Sequence, residues 1–472
     1  MTDSEQAQQK RYELPLCIGK PDDGSRLNAD SVHAIQAATF TRFVLPFAYR
    51  IVPSDLKKPH PDLYYEVNSQ RNLSFIKRRK YFTHETSLTL YDRAIWLDMS
   101  ENWKQSPWGK EAVTVKLYKG TEYRLGMLPP RVILFESGRA KTVAALASSN
   151  SASFGEANLL HTGFLCVDLY FPWQDRQPQL DDLLMLNEYF RYFHMPYDKH
   201  ADYFRNVFGN VPIEYTTSKN NAKVGNLDKL ERYFERWKNL LTIPVFEDDQ
   251  YYQLFPDSWA ENAAGLAYSK ADVNREQNWH FYSDNRCYVW TAAFLPKGGT
   301  TLREAFFKKD DNRPLMARDF GHWIRLLNVD NPDFSPEGDP IQNSHRNPSD
   351  FERDWADKRT YKRWQHSGAW YGCCPHAGAV ISTAEYTFEP YSSYYFDTSL
   401  LLFYTKTTLF RFSTRLSNIF HLEQHNHQSR GQLRKTREQF SKFTVLYRFP
   451  LLSNQQQSIE MFELNRKYFD ID

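Results

Sequence analysis

The amino-acid sequence predicts an α+β fold: a β-rich N-terminal region, an α/β middle region and a C-terminal antiparallel helical bundle or stalk. Three observations carry that expectation. Residues 63–135 fall into short runs of alternating polarity, the pattern of strands buried on one face. Residues 164–194 pass from a strand-like run into apolar positions at helical spacing, and from residue 398 onward helical spacing dominates. The corresponding segments are 1–150, 156–390 and 391–472, with the Ser- and Ala-rich stretch 147–155 as the linker.

Taken in order, the first dozen residues form a polar tail, Pro21-Asp22-Asp23-Gly24 marks a turn, and residues 29–42 suit a helix. Strand candidates are 63–67, 88–97, 112–119 and 131–135. In the third, Val113, Val115 and Leu117 alternate with polar neighbours. Residues 164–171 (FLCVDLYF) read as a strand ending at Pro172. A helix through Leu180, Leu183, Leu184, Asn187, Phe190 and His194 follows, with Asp181 and Asp182 in the first turn, where negative charge suits the dipole. A second middle helix covers 227–241. Residues 287–294 are strand-like, Gly298-Gly299 is a turn, and 328–359, dense in Asp, Asn, Pro and Ser, reads as a long surface loop.

The C-terminal helices run through Leu401, Leu402, Thr405, Leu409, Phe412, Leu416 and Ile419, then through Leu433, Phe440, Phe443 and Tyr447. Pro450 interrupts. Ser453 with Gln456 has the form of a capping box opening a third helix through Ile459, Phe462 and Arg466. These helices read as a stalk whose apolar stripe seeks neighbouring copies or a membrane-embedded continuation, with Phe440, Phe443, Tyr447 and Phe462 as the oligomer interface.

Lys plus Arg number 59 and Asp plus Glu 57, so a net charge of +2 excludes a whole-chain field that would draw the protein to nucleic acid or anionic lipid. Any basic surface must be local. An aromatic content of 16% with only 19 Gly favours packed cores over disorder and over Gly-rich phosphate loops. Five cysteines without framework spacing suit a reducing compartment, and the N-terminus lacks the apolar core of a secretory signal. Together with the mean hydropathy of −0.66, this points to a soluble cytoplasmic protein. The longest apolar runs, 132–135 and 400–404, fall far short of the roughly 20 residues a membrane helix needs.

Candidate chemistry is sparse. His421, His425 and His427 form the best metal tract, since histidines four apart on a helix project to one side. Leu422 stands where a zincin would place its Glu, and an exposed helical connection is the favoured alternative. Cys373-Cys374-Pro375-His376 gathers soft ligands, but adjacent cysteines bite one ion poorly, so buried inert thiols are the better reading. Asp181, Asp182, Glu188, Arg191 and His194 supply acids and bases in principle. Charges on the outer face of an amphipathic helix explain them more simply. Lys77, Arg78, Arg79 and Lys80, flanked by Ile76, Tyr81 and Phe82, make a basic block suited to nucleic-acid or lipid phosphates, with the aromatics available for stacking. A solvated loop between strands explains it equally well. The sequence holds no phosphate-loop pattern, dinucleotide fingerprint or nucleophile elbow.

Three passages together resemble bacterial proteins related to the CorA magnesium transporters: residues 163–172 (GFLCVDLYFP) with the helix through 182–184 and 187–192, residues 284–292 (DNRCYVWTA), and residues 449–457 (FPLLSNQQQ). The resemblance implies a cytoplasmic α/β domain, a helical stalk, two C-terminal membrane helices and a pentameric pore with Gly-Met-Asn at its mouth. This chain has neither those membrane helices nor any Gly-Met-Asn, so no pore residue carries over. A regulatory divalent cation, the one cofactor implied, would seek carboxylates such as Asp330, Asp333, Glu337 and Asp339. The leading expectation is therefore a non-enzymatic sensory or assembly module, homo-oligomeric, cytoplasmic or peripheral to the inner membrane. Its rivals are a nucleic-acid-binding or defence-related protein using the basic block, and a metal-dependent enzyme using the histidine tract.

Overall fold

The structure is a computed structural model that describes residues 16–18, 39–49, 52–53, 63–67, 71–105, 113–117, 121–135, 161–172, 174–192, 237, 240–241, 243, 245–247, 250–253, 286–295, 317–330, 349–422, 427–447, 452–469 and 471. Its strands are β1 Phe40–Tyr49, β2 Val52–Pro53, β3 Tyr65–Glu66, β4 Ile95–Met99, β5 Val113–Lys116, β6 Glu122–Met127 and β7 Arg131–Leu134. They continue with β8 His161–Tyr170, β9 Val245–Glu247, β10 Gln250–Gln253, β11 Tyr288–Phe294, β12 Thr360–Tyr361, β13 Ala369–Cys373 and β14 Ala377–Ser382. The α-helices are α1 Arg71–Arg79, α2 His84–Leu88, α3 Leu180–Phe190, α4 Ala317–Asn328, α5 Asp350–Lys358, α6 Phe388–Ser392, α7 Tyr394–Leu422, α8 His427–Tyr447 and α9 Gln456–Tyr468.

The strands join into one large mixed sheet of order β12-β13-β14-β11-β1-β8-β7-β4-β3-β9-β10-β2, with β6 bonded to β8 and β5 to β6. Pairing is antiparallel except at β11–β14 and β3–β9. β1, from the expected N-terminal segment, lies between β8 and β11 of the expected middle segment, so the two share one sheet. Pro46 falls past the end of the β11 pairing, where a strand tolerates a lost donor.

Side chains alternate along these strands and divide the core in two. Phe43, Leu45 and Phe47 of β1, Leu165, Val167 and Leu169 of β8, and Val289 and Ala293 of β11 face α3, α4 and Trp237. Phe40 and Val44, Phe164 and Cys166, and Trp290 and Phe294 face the opposite way, toward α1 and α6 to α9. The sheet is thus a middle layer with helices on both sides, and each large apolar side chain buried in it contributes roughly 1.5–3 kcal/mol.

Several local expectations change. Residues 39–42 are not the end of a helix: Phe40 begins β1, because its Phe, Thr and Val alternate between two buried faces. Residues 88–97 yield a strand only from Ile95, after a π turn at Thr89–Arg93. Within the expected loop 328–359 lies α5, opened by a capping box in which Glu352 N donates to Ser349 Oγ and Ser349 N to Glu352 Oε2. The box expected of Ser453 and Gln456 does not form: Gln455 is the N-cap, while Ser453 Oγ bonds Tyr81 O and accepts from Gln455 N. The linker 147–155 and most of 227–241 lie outside the described residues.

Candidate functional site

The C-terminal helices lie against the second face of the sheet. The first half of α7 is almost wholly buried, and its Tyr404 stacks on Phe135 at 4.3 Å. Tyr404 also meets Tyr447 at 4.7 Å and Phe443 at 5.9 Å, while Phe412 meets Phe440 at 5.4 Å and Phe443 at 5.8 Å. Of the four expected interface residues, Phe443 and Tyr447 are therefore buried within their own chain, and Phe462 is partly buried against the same core. Phe440 keeps 43% of its surface exposed, and Val445 keeps 82%. Phe410 and Phe420 of α7 are exposed as well, two residues that the heavily apolar sequence of this helix did not single out. Ten positions apart, they lie within about 80° of each other around the helix.

The basic block lies at the end of a helix, α1, rather than in a loop between strands. Its cations complement the negative end of the helix dipole. Arg78 Nη1 donates to both oxygens of Asp397, at 3.3 and 3.2 Å, and Tyr91 Oη donates to Asp397 Oδ2 at 2.6 Å. Asp397 is fully buried in the first turn of α7. Arg79 forks onto Asp92 at 2.6 and 2.8 Å. Lys77 and Lys80 are exposed, but Tyr81 and Phe82 are in the core, so the aromatics expected to stack on bases are not on the surface.

The carboxylates of α3 occupy three different settings. The helix is not an amphipathic surface helix as expected: nine of its eleven residues are buried, including Asp182 and Asn187. Asp182 Oδ2 accepts from Tyr123 Oη at 2.9 Å and from Gln179 N at 2.8 Å, which makes it a helix cap. Asp181 pairs with His322 of α4 at 3.2 Å. Glu188 lies 2.6 Å from Arg191 and accepts from Tyr192 Oη at 3.4 Å. Burial raises its carboxyl to about 7 against the opposing pull of Arg191, and Asp330 adds to the rise. His194 lies outside the described residues.

Cys373 and Cys374 are buried, and burial raises both thiols. Cys374 Sγ donates to Leu327 O at 2.8 Å. Neither is poised as a thiolate. Among the described residues no three or more His, Cys, Asp or Glu side chains are grouped to hold a metal ion. His421 and His427 stand at the facing ends of α7 and α8, and His425 lies outside the described residues, as do Asp333, Glu337 and Asp339.

A row of charges that the sequence reading did not single out crosses four neighbouring strands of the second face. Arg42 of β1 forks onto its register partner Asp168 of β8 at 2.6 and 2.7 Å, while Arg131 of β7 binds its partner Asp98 of β4 at 3.1 Å. Burial works against the charge on Arg131, but Asp98 and then Asp168 outweigh it and hold the group above the usual guanidinium range. Arg42 also lies over the Phe396 ring at 4.1 Å and donates to Ser392 O, which ties α6 and α7 to the sheet. The available signal was a lone Asp inside FLCVDLYF and a lone Arg inside FTRFVLPF, since a charge buried in an apolar strand needs a partner.

The fold defines a mixed α+β protein with a large mixed sheet, and among the described residues no helix is long and apolar enough to cross a membrane. No family model, curated protein or solved structure matches the chain.

Proposed function

We propose that the protein is an assembly module whose contact surface is carried by α7 and α8 and whose partner is a second copy of the chain. The observation that carries this reading is the exposure of Phe410, Phe420, Phe440 and Val445 on the same two helices that bury Phe412, Phe443 and Tyr447. Tyr404 meets residues 443 and 447 whereas Phe412 meets 440 and 443, an order that suits an antiparallel pair. The pair packs on its own sheet and still keeps large apolar side chains in water, where a partner would cover them. The resemblance to CorA-related proteins favours the same arrangement, a helical stalk that assembles. Five cysteines, four of them buried, suit a reducing compartment such as the cytoplasm.

The test is substitution on the exposed side alone. Phe420→Glu combined with Val445→Glu is expected to lower the oligomeric mass measured by light scattering while leaving the circular dichroism and melting temperature of the fold intact. An unchanged mass in a folded double variant would remove the proposal.

A further inference from the structure

Three residues form a row across the sheet beneath α6. Cys373 of β13, Gly378 of β14 and Trp290 of β11 are successive register partners. A Cβ at position 378 would come within 2.2 Å of the Trp290 ring and 3.1 Å of Tyr288 Oη, so the indole and the phenol both crowd over this glycine. Tyr288 is two residues from Trp290 and projects from the same face of the strand. Tyr391 of α6 stacks on Trp290 at 4.3 Å with 11° between the planes, and Trp290 Nε1 donates to Tyr391 O at 3.0 Å.

The two tyrosines are 4% and 1% exposed, and among the described residues neither hydroxyl has a hydrogen-bond partner. They are electrostatic neighbours: the Tyr288 phenol acts on that of Tyr391, and the Cys373 thiol acts on both. Polar groups from β11, α6 and β13 are therefore neighbours among stacked aromatic rings, with the Tyr371 phenol and the Arg42 guanidinium also acting on Tyr391 and the Cys374 thiol on Tyr288. A buried hydroxyl left without a partner weakens the folded state by about 5-fold or more. Two such hydroxyls acting on one another are unlike the usual satisfied interior.

We propose that Tyr288 Oη, Tyr391 Oη and Cys373 Sγ together bind one internal water molecule that ties α6 to the sheet. Each phenol can donate and accept, and a thiol does both weakly, so the three groups offer the roughly three bonds that an internal water makes. Burial keeps both phenols and the thiol in their neutral, hydrogen-bearing forms, so each can still donate.

The test is a double-mutant cycle in the full chain with Tyr288→Phe and Tyr391→Phe, changes that keep the rings and the stacking. Each single variant is expected to raise the unfolding constant in urea by about 5-fold. The double variant should lose little more than either single one, since removing one hydroxyl already releases the water. Water deuteron relaxation dispersion should count one fewer long-lived internal water in each variant. A single variant as stable as the parent, losses that add, or an unchanged count of long-lived waters would each overturn the proposal.

Discussion

A carboxyl raised to about 7 beside Arg191 makes stability depend on pH around neutrality. Glu188 ordinarily titrates near 4.5, so between about 4.5 and 7 the folded state holds a proton that the unfolded chain has released. The stabilisation is complete below 4.5 and is lost as pH rises through 7. With the side chain 14% exposed, the span is about 2–3 kcal/mol. Glu188→Gln is expected to flatten that slope in urea unfolding across pH 4.5–7.5, and equal slopes in variant and parent would contradict the assignment. Asp168→Asn, which strips the buried Arg42 guanidinium of its partner, should cost about 3–5 kcal/mol, whereas replacing both members by apolar residues of similar volume should restore most of it. Denaturation of the single and double variants checks this. Of the two positions, Asp168 was the more legible, being alone in an apolar run. Glu188 read as a solvated charge because periodicity shows which side of a helix is apolar, not whether its polar side is also covered.

Elements differ in how far the sequence betrays them. α7, α8 and α9 were legible from repeated apolar positions over several turns, a signal that survives errors at the ends. β13 and β14 were not, because five of their eleven residues are Ala or Gly, which carry little strand preference and interrupt Trp370, Tyr371, Val380 and Ile381. The smallness of Gly378 is a packing requirement at the Trp290 ring, and that of Gly372 one at Leu327 and Trp323. Gly378→Ala should therefore destabilise the protein by about 1–3 kcal/mol through overpacking, measured as a lowered urea midpoint. β1 was read partly as helix, since residues buried on both faces show no amphipathic period. The basic end of α1 gives a further expectation. With Arg78 held by Asp397 and Arg79 by Asp92, only Lys77 and Lys80 of that block are left to meet phosphates, so its share of the salt dependence of duplex DNA binding should not exceed a slope of about −2. A titration in which Lys77→Ala with Lys80→Ala reduced the slope by about 4 would contradict that division of labour.

At the scale of the whole molecule, one sheet is covered by helices on both sides, and the last three helices close the second side while α7 and α8 keep apolar residues exposed. The broad α+β class was legible from alternating runs followed by helical ones. The joining of β1 to β8 and β11 was not, because strand pairing between distant segments leaves no local trace in composition or period. The same limit applies to the interface residues: Phe440, Phe443 and Tyr447 share one helical stripe in sequence, and only packing separates the exposed Phe440 from the two that are buried. Self-association through α7 and α8 is tested most directly by the mass of the unmodified chain in solution, measured by light scattering over a range of micromolar concentrations. The expected result is a multiple of 55.8 kDa, and a constant 55.8 kDa at every concentration would contradict it.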